Sequence, residues 1–130
     1  MKKLFLILTL AALPLVSGSN FVVQPAYAAI KTSKLGDLSA MSKIVSDTLK
    51  FVNAGDIKSA IKRVTEFEAA WDANAGRLQK LDKKTWKKID GASDVALSTV
   101  RYPSATPDEM KKDLSDLITV LNNPDRKSVV

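Results

Sequence analysis

Four carboxylates in the middle of the chain have the spacing of an oxygen-ligand site. Glu68 and Asp72 are four positions apart, as are Asp90 and Asp94, so each pair shares one face of a helix. If the chain reverses direction near position 80, the two pairs lie at matching heights on neighbouring helices. Carboxylate oxygens bind hard cations, and such a group could also hold a cationic ligand. The alternative is a solvated helix edge where each acid lies near a lysine or arginine.

Two tryptophans accompany this cluster, and Glu68 itself occupies an apolar position. Trp71 and Trp86 could stack a ligand, but their helical spacing among aliphatic neighbours favours a place in the core. A charge at the position of Glu68 needs a partner or a path to the helix edge. Its candidate partners are Arg63, Arg101 and Ser93. A polar residue that fixes helix register is the simpler interpretation.

Missing residue types limit the chemistry further. The chain has no histidine, and so lacks the commonest general base and the Glu-x-x-His pattern of di-metal helical bundles. It has no cysteine, which excludes disulfides, thiol catalysis, lipoprotein anchoring and covalent c-type haem. No glycine-rich phosphate loop is present. The sequence therefore predicts a protein that is not an enzyme and that carries neither a metal nor a cofactor.

A cluster of lysines follows the first carboxylate pair. Its members are Lys80, Lys83, Lys84, Lys87 and Lys88. Two of them, Lys83 and Lys84, fall in the first turn of a predicted helix, where the helix dipole disfavours cations. A basic run kept against the dipole indicates binding of an anionic partner. The alternative is a solvated face that keeps the protein soluble.

Four amphipathic helical segments must position these groups. They are predicted at about 35–52, 57–78, 83–101 and 107–121, with apolar residues at three- and four-residue steps. The second has a 4-3 seam formed by Ile57, Ile61, Val64, Glu68, Trp71, Ala75 and Leu78.

Turn and capping residues separate the segments. Gly55 is the predicted left-handed end of the first, and Asp56 and Asp82 are predicted N-caps. Thr106 and Glu109 form a predicted capping box. Residues 79–81 form a short connection, and residues 122–130 a flexible tail.

These connections predict an all-α domain over residues 29–121. Short connections give antiparallel neighbours, so we expect a monomeric up-down-up-down four-helix bundle. The alternative is a less regular array of the same four helices.

The first twenty-eight residues have the layout of a secretory signal peptide. Lys2 and Lys3 precede an apolar run over residues 4–16, and small residues follow at Ala26 and Ala28. The run is shorter than a membrane span, although an N-terminal anchor is the alternative. We expect cleavage before Ala29 and export to the periplasm or the medium.

Charge is distributed unevenly in this arrangement. The predicted signal peptide holds two of the twenty basic residues and none of the fourteen acidic ones, so the remaining chain carries +4. An up-down-up-down bundle places nine basic residues at one pole, namely Lys31, Lys34, Lys80, Lys83, Lys84, Lys87, Lys88, Arg126 and Lys127. The three acids expected there are Asp37, Asp82 and Asp125.

One family resemblance accompanies these patterns. The residues that carry it are Phe67-Glu68, Trp71-Asp72, Leu78, Asp82, Trp86, Ile89-Asp90, Asp94, Leu97 and Arg101. This pattern resembles small exported all-helical proteins of unknown function, some of which are labelled histidine kinases. The present chain departs from that label, because it has no phosphoacceptor histidine and no nucleotide-binding motif. The resemblance implies an exported helical domain and no particular activity.

Together these patterns predict a non-enzymatic helical interaction module of the cell envelope. Its basic pole would contact an envelope protein, an anionic lipid or an acidic polymer, and not a nucleic acid. The alternative is a small-ligand or cation-binding protein that uses the carboxylate cluster.

Overall fold

Three helices form the part of the chain that the structure describes. The computed structural model describes residues 33–127, in which α1 spans Ser39–Asn53, α2 spans Ile57–Arg101 and α3 spans Pro107–Asn122. These residues contain no strand, which confirms the all-α class for this range. The predicted signal peptide and cleavage site lie outside it. Between residues 33 and 127, no helix has both the length and the apolar character needed to cross a membrane.

The long helix α2 is interrupted at Asp82. Its backbone is extended there (φ −163°, ψ 99°), and its carboxylate accepts hydrogen bonds from the backbone N–H groups of Lys84 (3.1 Å) and Thr85 (3.3 Å). This is the predicted N-cap. We call residues 57–81 the first arm of α2 and residues 83–101 the second arm.

The two arms lie side by side in opposite directions. Trp71 on the first arm contacts Asp90 on the second, and Glu68 contacts Arg101. The predicted connection over residues 79–81 is wrong, because the first arm stays helical up to Asp82. Nothing in that stretch breaks a helix, and the extended conformation of one residue separates the arms.

The turn between α1 and α2 follows the predicted capping pattern. Gly55 has a positive φ of 78°, and its N–H donates to the Val52 carbonyl oxygen at 3.0 Å. The N–H of Asp56 donates to the Phe51 carbonyl oxygen at 2.9 Å, which completes a Schellman motif. The Asp56 carboxylate then accepts from the N–H of Ser59 at 3.1 Å and caps α2.

Helix α3 begins with the predicted capping box. The backbone N–H of Thr106 donates to the Glu109 carboxylate at 2.8 Å, and the N–H of Glu109 donates to the Thr106 hydroxyl at 3.2 Å. Pro107 occupies the first helical position, where its missing N–H has no cost.

The apolar face of the first arm differs from the predicted seam by about one residue. The buried residues are Ala60, Val64, Phe67, Trp71 and Leu78. Phe67 is fully buried, whereas the Glu68 side chain is 40 % exposed and Ile61 is 37 % exposed. The predicted seam omitted Phe67, the largest side chain that the first arm buries completely. A face that buries this ring leaves Glu68 at the edge, where its charge reaches solvent.

A matched pair of glycine substitutions tests the turn geometry. We expect Gly55→Ala to lower the free energy of unfolding by about 1 kcal/mol, because an L-residue is strained at this positive φ. An added Cβ meets nothing within 4 Å at Gly55 or at Gly76, which lies inside the first arm. Gly76→Ala should therefore stabilise the protein by about 0.5–1 kcal/mol. Thermal unfolding would show opposite shifts in Tm, and shifts in the same direction would contradict this account.

Candidate functional site

Three segments that are distant in sequence meet at one end of the domain. The backbone N–H of Lys34 donates to the Asp125 carboxylate at 3.4 Å, and its side chain pairs with Asp82 at 3.6 Å. The ammonium group of Lys88 donates to the backbone carbonyl of Arg126. These contacts join the segment before α1, the turn within α2 and the segment after α3.

We call this region the basic end. Its members are Lys34, Lys80, Lys83, Lys84, Lys87, Lys88, Arg126 and Lys127. The remaining residue of the predicted pole, Lys31, lies outside the described residues. Ser42 and Asn122 tie the same region together, because the Ser42 hydroxyl donates to the Asn122 side-chain oxygen at 2.7 Å. The start of α1 therefore lies beside the end of α3.

A cleft of about 420 Å³ opens at the basic end. Its lining consists of Lys34, Asp82, Lys84, Thr85, Lys88, Pro124, Asp125, Arg126 and Lys127. Five of these nine residues are basic and two are acidic, so positive charge is in excess. Within residues 33–127, four of the five basic residues form no ion pair; the exception is Lys34.

The acidic group Asp82 has a structural task in this cleft. The pKa of its carboxyl group lies below the ordinary range, because the backbone N–H of Thr85 donates to it and Lys34 lies nearby. Its negative charge is committed to capping the second arm and to holding Lys34. The other acidic residue of the cleft, Asp125, accepts from the backbone N–H of Lys34.

The structure divides the five predicted binding lysines into two groups. Lys84 and Lys88 line the cleft. Lys80, Lys83 and Lys87 are exposed on the outside of the same end.

Two residues that sequence reasoning did not select also belong here. Thr85 lines the cleft, and Leu81 lies 52 % exposed directly before the break in α2. The signal for Leu81 was a leucine between lysines in a predicted connection, where burial is not expected.

The predicted carboxylate cluster is split among different contacts. Glu68 pairs with Arg101 at 2.8 Å, and Arg101 also donates to the Thr65 hydroxyl at 2.9 Å. Arg101 was one of the three candidate partners. Its hydrogen bond lowers the pKa of the Glu68 carboxyl group. A second candidate, Arg63, pairs instead with Asp47 at 2.8 Å.

The other carboxylates of the cluster have different surroundings. Asp90 accepts a hydrogen bond from the Trp71 indole N–H at 3.0 Å, while Asp72 and Asp94 are exposed. Over residues 33–127, no three His, Cys, Asp or Glu side chains lie close enough together to hold a metal ion. Binding of a cationic ligand by this cluster stays a prediction.

The two tryptophans stack on each other. Their rings are nearly parallel, at 2°, with centroids 6.3 Å apart. The prediction that both are largely buried holds for Trp71, which is 2 % exposed, but Trp86 is only partly buried. Trp86 lies one turn after the break in α2, at the end of the helix pair. Its enclosed indole N–H has no hydrogen-bond partner within the described range.

A second cleft, of about 470 Å³, lies between the end of α2 and the start of α3. Several of its polar groups already have partners. The Thr99 hydroxyl donates to Asp113 at 2.6 Å, Glu109 belongs to the capping box, and Lys112 pairs with Asp116 at 2.9 Å. The basic end is therefore the stronger candidate.

No protein-family model, curated protein or solved structure matches this chain. The resemblance to small exported helical proteins stays a prediction. Function is inferred from the charge and geometry of the basic end.

Proposed function

We propose that this protein is an exported, non-enzymatic interaction module whose basic end binds an anionic surface of the cell envelope. One observation carries the proposal. Five basic residues from three separate segments converge on one cleft, and four of them form no ion pair between residues 33 and 127.

The position of these charges in the fold supports a binding role. Lys83 and Lys84 occupy the first turn of the second arm, where the helix dipole opposes positive charge. Lys88 and Arg126, which also line the cleft, add to the same field. Gathering like charges costs stability unless counterions or a partner offset the repulsion. A negatively charged surface would relieve this repulsion and orient the protein with its basic end forward.

We further propose that the domain is a monomeric up-down-up-down four-helix bundle. Its helices would be α1, the two arms of α2, and α3. The antiparallel contacts between Trp71 and Asp90 support this arrangement, as does the contact between Ser42 and Asn122. Alternating directions explain why Lys34, Asp82 and Asp125 meet at one end.

Export is proposed from the sequence of residues 1–28, with its basic start, apolar run and small residues at Ala26 and Ala28. Mass spectrometry of the protein recovered outside the cytoplasm should give an N-terminus at Ala29. Recovery of a chain that still begins at Met1 would contradict cleavage.

The absence of histidine and cysteine supports a role in binding rather than catalysis. The small-ligand alternative gains no support from the contacts, because Glu68 and Asp90 are already engaged by Arg101 and Trp71.

Co-sedimentation with lipid vesicles tests the proposed function. The mature protein should sediment with vesicles containing phosphatidylglycerol and remain free of phosphatidylcholine vesicles. Binding should weaken as ionic strength rises from about 0.01 M to about 0.15 M, which shortens the screening length from about 30 to about 8 Å. Equal binding to both vesicles would contradict the proposal for lipid. If the protein is retained on an acidic polymer but does not bind vesicles, the partner of the basic end is a polymer.

A further inference from the structure

An exposed leucine lies at the basic end, directly before the break in α2. Leu81 is the last residue of the first arm and is 52 % exposed. The other large hydrophobic residues exposed between residues 33 and 127 are Ile61, Val95 and Tyr102. None of these three belongs to the basic end. Leu81 is therefore the most exposed large apolar side chain at this end.

Lysines flank Leu81 in sequence on both sides. Lys80 precedes it, and Lys83, Lys84 and Lys87 follow it, all of them exposed. Asp82 lies between them, but its carboxylate accepts from backbone N–H groups and pairs with Lys34. We call residues 80–87, around the break in α2, the tip of α2. The tip therefore combines one exposed leucine with several exposed ammonium groups.

This combination matches the chemistry of an anionic bilayer. Headgroup phosphates form its outer layer, and acyl chains lie directly behind them. Lysine side chains have apolar stems and charged tips, so they can lie along this boundary with the ammonium group at the phosphates. A soluble acidic polymer would satisfy the lysines but would offer no apolar phase for Leu81. The leucine thus favours a lipid surface over a polymer.

We propose that the tip of α2 binds anionic membranes peripherally, with Leu81 inserted at the headgroup–acyl boundary and the flanking lysines on lipid phosphates. This inference rests on the proposed function and names its partner as lipid. One apolar contact or a few screened charges alone bind membranes weakly, whereas the two together reinforce each other.

A single-cysteine label tests the insertion directly, because the natural chain has no cysteine. Leu81→Cys would carry an environment-sensitive nitrobenzoxadiazole group. Val95→Cys is the matched control, since Val95 is also 52 % exposed and lies about 20 Å along the second arm from the break. Phosphatidylglycerol vesicles should raise and blue-shift the emission at position 81 only. An equal response at both positions, or none at position 81 while vesicles bind, would overturn the insertion.

A second comparison does not depend on the label. Leu81→Ser should weaken the affinity for anionic vesicles about tenfold at near-physiological salt, because burial of a leucine side chain is lost. Val95→Ser should leave the affinity unchanged, and circular dichroism should show intact helices in both variants. If Leu81→Ser binds like the natural protein, insertion is wrong while the electrostatic proposal stands. If the natural protein binds no anionic vesicles, both proposals fail for lipid.

Discussion

Replacing Trp71 with alanine is expected to lower the free energy of unfolding by about 3–5 kcal/mol. Trp71 is 2 % exposed and lies between two other rings, with centroids 6.0 Å from Phe67 and 6.3 Å from Trp86. Its indole N–H also donates to Asp90 at 3.0 Å, which links the two arms of α2. The substitution would leave a large cavity at the contact that holds the arms together.

The free energy of unfolding of a small domain is about 5–15 kcal/mol, so this loss could remove most of the stability of the fold. Urea unfolding followed by circular dichroism would measure it. Trp71→Phe is the first control, because it keeps a ring in the stack but loses the hydrogen bond, and we expect it to cost clearly less. Trp86→Ala is the second control. We expect it to destabilise the protein less than Trp71→Ala, because the Trp86 ring is only partly buried. Equal destabilisation by Trp71→Ala and Trp86→Ala would contradict the assignment of Trp71 as the central contact.

Local interactions explain which parts of this fold could be predicted. The N-caps at Asp56 and Asp82 and the capping box of Thr106 and Glu109 act within three residues of chain. Gly55 likewise ends α1 through bonds to the preceding turn. Because each of these features is encoded by neighbouring residues, the sequence pattern was sufficient to place them.

The face that each helix buries depends on distant residues and was predicted less well. On the first arm, either Phe67 or Glu68 could have faced the core. The outcome reflects ring stacking with Trp71 and the ion pair between Glu68 and Arg101, which is thirty-three positions away. The predicted burial of Trp86 was too high for a similar reason. Its exposure depends on how the two arms pack against each other beside the break at Asp82.

In the candidate site too, some features could be predicted from the sequence and others depend on how the helices pack. Short connections predicted that Lys34, Lys88 and Arg126 would share one end, and contacts within the structure bring these residues together. The distribution of the lysines between the cleft and the outer surface follows from the rotation of the second arm, which spacing alone does not fix. Of the four carboxylates, Glu68 and Asp90 have partners on the opposite arm, Arg101 and Trp71, whereas Asp72 and Asp94 are exposed.

The largest functional effect is expected from neutralising four lysines of the basic end. The variant replaces Lys83, Lys84, Lys87 and Lys88 with glutamine. A lysine near an anionic membrane contributes about 1 kcal/mol at modest ionic strength, so four together contribute about 4 kcal/mol, close to a thousandfold in affinity. Lys88 also binds the Arg126 carbonyl, so part of its loss would come from a less ordered cleft. Titration with phosphatidylglycerol vesicles would measure the change.

A control with the same change in net charge separates the basic end from general attraction. Its four glutamines replace Lys50, Lys58, Lys62 and Lys111, which lie near the end of α1 and the starts of α2 and α3. If the basic end makes the contact, this control should lose far less affinity, because its lysines would lie farther from the membrane than the screening length. Equal losses in the two variants would show that net charge alone attracts the protein. An unchanged affinity in the first variant would exclude the basic end as the binding surface.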